Sequence, residues 1–128
     1  MSKEAIVTLF RPVGQQELNL IRDAAWRRFP PRLFWQPIFY PVVTEEYAIG
    51  IARDWNTKDP NSGHVGYVLR FDIRQEYIER YQTHEVGGKS CVEYWIPAEE
   101  LEAFNDNIIG QIKVIHEFRP ALEQGALP

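Results

Sequence analysis

Two residues in this chain are best placed to do chemistry: Arg11, in the stretch TLFRPVG, and Glu93, in CVEYWIPAEEL. An arginine presents its donors as a planar fork that takes paired bonds from phosphate or ribose oxygens. A carboxylate inside a strand-like apolar run is costly if it points inward unpaired, so it needs solvent, a cation or a reaction to serve. Facing each other across a sheet cleft, the two suit cleavage of a glycosidic bond, whose transition state carries positive charge on the sugar. The competing reading is structural: an ion pair, or two separately solvated charges at strand ends.

The other reactive side chains offer less. Cys91 is the single cysteine, so there is no intrachain disulfide and no multi-cysteine metal set. Nothing near it in sequence lowers a thiol pKa, and a lone strand cysteine reads as a small packing residue before it reads as a nucleophile. His64, His84 and His116 fall on three different elements, which argues against a metal. No phosphate-binding GxxxxGK, GxGxxG, HExxH or GxSxG occurs. Arg22, Arg27, Arg28 and Arg32 form either a basic patch or, the preferred reading, a solvated helix face and the loop after it.

The elements that must position Arg11 and Glu93 are legible in outline. AIVTLF, residues 5 to 10, is a strand expected to end at Arg11-Pro12. GQQELNLIRDAAW is a helix packed through Leu18, Ile21, Ala24 and Ala25. The aromatic, proline-paired RRFPPRLFWQP must be packed down, as a hydrophobic plug more than a ligand lid. IFYPVV, residues 38 to 43, is a short strand broken by Pro41. TEEYAIGIARDW is a helix capped by Thr44, burying Ala48, Ile51, Ala52 and Trp55. Val65, Tyr67, Leu69, Phe71 and Ile73 alternate as the clearest strand.

RQEYIERY is a helical turn, and THEV, Gly87-Gly88 and KSCVEYWI form a hairpin. Pro97 opens a helix carrying Leu101 and Phe104, and IIGQIKVIHEF alternates through Ile112, Val114, His116 and Phe118. Strand alternation puts Cys91, Glu93 and Trp95 on one face and Val92, Tyr94 and Ile96 on the other, and either face can be the core. This order of elements describes an α+β domain over residues 1 to 118 with a loose tail from 119 to 128.

With 128 residues, 45% hydrophobic and 25% charged, the chain has the makeup of one globular domain. A net charge of -4 argues against general nucleic-acid binding. No signal segment and no run long enough to span a membrane is visible, so cytoplasmic residence is the economical expectation.

On three stretches the chain resembles the ADP-ribosyltransferase-like fold, in its arginine-serine-glutamate branch. They are TLFRPVGQQELNLI, FYPVVTEEYAIGIARDW and GGKSCVEYWIPAEELEAFNDNIIGQIKVI, and the resemblance covers residues 5 to 118. It is also similar to a group of small bacterial proteins sharing LYRPVG, FPPRL, IFYPV and EYWVPAEEL type stretches, labelled only by an ADP-ribosylation and J-type crystallin name.

The resemblance implies a split sheet of mostly antiparallel strands with flanking helices. It implies NAD+ as substrate, with Glu93 catalytic on the nicotinamide ribose, Arg11 anchoring ribose or phosphate, and Tyr40 or Tyr47 stacking on nicotinamide. Where that branch reads Ser-Thr-Ser this chain has Tyr40-Pro41-Val42, so bracing of the glutamate falls to Thr44 or Tyr40. Where many members carry an acid or glutamine two residues before the glutamate, it has Cys91. The function implied is ADP-ribosyl transfer to an acceptor, possibly a protein, or hydrolysis. The alternative is a non-catalytic binding or interaction module that keeps the fold without the chemistry.

Overall fold

In a computed structural model, which describes residues 5 to 88 and 90 to 120, the fold is built around the strand Gly66–Arg74 (β3). Its alternation buries Tyr67, Leu69, Phe71 and Ile73 on one face, and Val68 is equally buried on the other, so both sides of this strand are covered. The strand Ile6–Val13 (β1) flanks it on one side and Ile108–Phe118 (β7) on the other, both antiparallel. The arrangement is α+β.

One face of this sheet carries the larger core. The helix Gln15–Asp23 (α1) delivers Ile21, the short helix Gln75–Ile78 (α3) delivers Tyr77 and Ile78, and the helix Leu101–Asp106 (α4) delivers Leu101 and Phe104. Phe29, Phe39, Phe71 and Phe104 pack edge to face or tilted, with centroids 4.9 to 6.5 Å apart, the geometry that aromatic quadrupoles favour. Buried Asn105 pins the chain at Phe29, accepting from its N–H at 2.9 Å and donating to its carbonyl at 3.0 Å. The helix Glu45–Asp54 (α2) covers the other face through Ala48 and Ala52. It lies so close that a Cβ on Gly66 would stand 2.2 Å from the Ala52 carbonyl oxygen.

A second antiparallel pairing joins this sheet to Glu93. Ile38–Phe39 (β2) pairs with Ile96–Pro97 (β6), and Val42 bridges to Glu93 of Val92–Tyr94 (β5) in the same register. Residues 37 to 43 and 92 to 98 thus form one ladder, interrupted where Pro41 has no N–H to give to Tyr94, although Tyr94 N–H donates to the Pro41 carbonyl at 2.9 Å. Val42 also exchanges both backbone bonds with Phe10 of β1, at 2.8 and 2.9 Å. On the far side of β5 lies Thr83–Glu85 (β4), closing the expected hairpin.

Several expectations need correcting. The first strand runs on through Arg11 and Pro12 to Val13. Phe10 points its backbone groups away from β3 to Val42, and by alternation the Pro12 nitrogen faces that same side, where it breaks no β3 bond. The first helix stops at Asp23 because the chain turns through positive φ at Ala25 and Trp26. Trp55 is 73% exposed, beyond the end of α2. The aromatic loop is packed down only at Phe29, while Phe34 is 94% exposed and Leu33 and Trp35 are exposed with it. In β7, register shifts opposite residues 68 to 72 break the alternation and leave Val114 exposed. The expected tail falls largely on residues 121 to 128, outside the described residues. No helix among the described residues is long and apolar enough to cross a membrane.

Candidate functional site

Glu93 lies between two backbone neighbours, Val42 on one side and His84 of β4 on the other, and the residue is only 9% exposed. Cross-strand partners share a face, so its carboxylate emerges on the side of Phe10, Val42 and α2. There Tyr47 Oη donates to Glu93 Oε2 at 2.9 Å, and Trp95 Nε1 donates to Oε1 at 2.8 Å. Among the described residues no cationic side chain forms an ion pair with it. Burial, followed by the bond to Glu93, pushes the Tyr47 hydroxyl up to about 12.

The indole is held in place by His84, whose ring stacks on it at 3.7 Å and 8°. Tyr40 stands opposite Trp95 at the interruption of the ladder, its ring 6.4 Å away and nearly perpendicular. Tyr40 and Trp95, with Tyr47, Ile51, Val86 and Glu93, border an open groove of about 500 Å³. The result is a braced, uncompensated carboxylate on an aromatic floor. Such a group can accept hydroxyl donors and stabilise positive charge developing nearby.

Arg11 and Pro12 reach the edge of the same groove, but the guanidinium is engaged elsewhere. Leu9, Arg11 and Val13 alternate toward the larger core, so Arg11 and Glu93 project on opposite faces of the layer and do not face each other across a cleft. Arg11, 8% exposed, makes a two-pronged pair with Glu17 of α1 at 2.6 and 2.9 Å and lies 4.5 Å over the Phe39 ring. Its Nη1 also donates to the Tyr40 carbonyl at 3.3 Å. Continuing the register of Phe10 and Val42 sets Tyr40 against Pro12, which has no N–H for that carbonyl. Arg11 supplies the donor that Pro12 lacks.

The remaining expected residues divide. Thr44 caps α2, accepting from Tyr47 N–H at 3.3 Å and donating to the Ser90 carbonyl at 3.1 Å. Neither it nor Tyr40 braces Glu93, a role taken by Tyr47. Trp95 was missed as a contact of Glu93, although its place two residues along the strand, on the same face, was the signal. Cys91 is half-buried in the hairpin turn, its carbonyl accepting from Val86 N–H at 2.7 Å. The arginines disperse: Arg22 pairs with Asp23, Arg28 with Asp106, and Arg32 lies over Phe39. Compared with family models, curated proteins and solved structures, the chain matches none.

Proposed function

We propose that the Glu93 groove binds NAD+ or a related nucleotide and that Glu93 acts on its nicotinamide ribose, in transfer or hydrolysis of an ADP-ribosyl group. The observation that carries this reading is the Glu93 carboxylate itself. It is buried, braced by a tyrosine hydroxyl and an indole N–H, and without a counter-ion among the described residues. Its remaining lone pairs accept ribose hydroxyls, and Tyr40 and Trp95 offer ring faces to the base. As the C1′–N bond breaks, its electron pair leaves with nicotinamide and the carboxylate stabilises the oxocarbenium-like sugar. An acceptor or water oxygen then bonds to C1′ and gives up its proton. Arg11 in this reading is a strut for the Tyr40 carbonyl.

A second reading is a binding module without chemistry. It is favoured by the full engagement of Arg11 with Glu17, which leaves no free cation from that residue for the pyrophosphate. Incubation with NAD+ separates the two. Nicotinamide release by the wild type, abolished in Glu93→Gln, is the expected outcome. No release together with no NAD+ binding by calorimetry rejects the enzyme.

A further inference from the structure

Tyr47 Oη and Trp95 Nε1 brace the Glu93 carboxylate at 2.9 and 2.8 Å, but both donors are neutral and leave its charge uncancelled. Arg11, the other ionic group bordering the groove, is neutralised by Glu17 through bonds at 2.6 and 2.9 Å. Arg32 lines a different groove, beside α1. Among the described residues, Glu93 is therefore the one charge of this lining without a counter-ion.

The surface around that charge is accessible and apolar. Tyr40, Val86 and Trp95 are 40, 42 and 42% exposed, and Ile51 adds aliphatic carbon. The Tyr40 and Trp95 rings stand at 84° with centroids 6.4 Å apart. His84, which is outside the lining, stacks on the indole at 3.7 Å and holds it ready before any ligand arrives. Aromatic faces attract cations through their quadrupole, and a nearby carboxylate adds its own field. A hard metal ion or a primary ammonium asks for several oxygen acceptors at once, whereas this lining is chiefly ring and aliphatic carbon. An ammonium whose hydrogens are replaced by methyl groups asks for none, and its methyls pack on such a surface.

We infer that the Glu93 groove binds a methylated ammonium group, with Tyr40 and Trp95 against its methyls and Glu93 as its counter-ion. Glu93 acts here through its charge and needs no further hydrogen bond. A choline-type alcohol and a methylated lysine side chain share this chemistry. The inference rests on the reading of the groove as a binding module without chemistry, and names the class of ligand that module takes.

The test is titration of the full chain at about pH 8, where histidine side chains carry no charge. The probes are choline, the uncharged alcohol with carbon in place of its nitrogen, ethanolamine, and a blocked trimethyl-lysine. Binding is followed by NMR through the Trp95 Nε1–H resonance, assigned by its loss in Trp95→Phe. Choline should bind saturably, about tenfold or more tighter than the uncharged alcohol, which lacks the charge, or ethanolamine, which lacks the methyls. Tyr40→Leu should weaken choline binding by about threefold or more, and Glu93→Gln should erase the preference for choline over the uncharged alcohol. The inference is overturned if choline does not shift the resonance saturably, if either control binds as tightly as choline, or if both variants bind like the wild type. The wild-type preference decides the matter even if a variant does not fold. Tighter binding of trimethyl-lysine than of choline assigns the group to a side chain, and the reverse to a free alcohol. Nicotinamide release from NAD+ without choline binding overturns this inference and leaves the enzyme standing, while choline binding with neither release nor NAD+ binding does the opposite.

Discussion

Tyr47 ties α2 to Glu93 through one hydroxyl, and the consequences can be read in pH. Its pKa is raised from 10.0 to about 12, so the folded state favours the protonated phenol. A group raised in this way stabilises fully below its unfolded pKa, and the contribution is lost as pH climbs from 10 toward 12. Tyr47→Phe should cost about 1.5 kcal/mol at neutral pH. The gap between wild type and variant should close over that alkaline range, as measured by urea unfolding. Tyrosinate absorbance should show the corresponding late-titrating residue disappear in the variant. If the gap is flat with pH, the bond to Glu93 is not formed in solution.

At the scale of elements, the approach of α2 to β3 is set by Gly66. An added methyl there meets the Ala52 backbone and not the yielding end of a side chain. Gly66→Ala should therefore destabilise by about 3 kcal/mol, because helix and strand must separate. Gly50 of α2, whose Cβ would meet nothing, is the control, and Gly50→Ala should stabilise by roughly 0.5 to 1 kcal/mol. Thermal unfolding of both variants checks the pair. Much at this scale was legible in the chain. Alternation in β3, the Thr44 cap and the Gly87-Gly88 hairpin are local signals, and local signals survive folding. What was not legible depends on partners far away. Arg11 finds Glu17 only because α1 folds back on β1, Tyr47 meets Glu93 from 46 residues away, and β7 loses its alternation to shifts against β3.

For the whole molecule, the apolar surface divides into what holds the fold and what does not. Phe104 touches Phe29, Phe39, Phe71 and Tyr77 and is fully buried, so Phe104→Ala should cost about 3 to 5 kcal/mol. Phe34, just as aromatic in sequence, is exposed, and Phe34→Ser should change stability by no more than about 0.5 kcal/mol. Denaturant titration of the two distinguishes a core residue from a surface one that composition alone counts as equal.

Four prolines meet where β1, residues 37 to 43 and residues 92 to 98 come together, and three of them remove a backbone donor from that pairing. Pro12, Pro37 and Pro41 thereby make this seam the place where the β-layer parts most readily. Breathing there breaks a few hydrogen bonds, those of Val42 and Tyr94 among them, while the pairing of β3 with β1 and β7 stays intact. Amide protons such as that of Tyr94 then exchange with solvent through a local opening, at a free energy below that of global unfolding, whereas the amides of β3 wait for the whole domain.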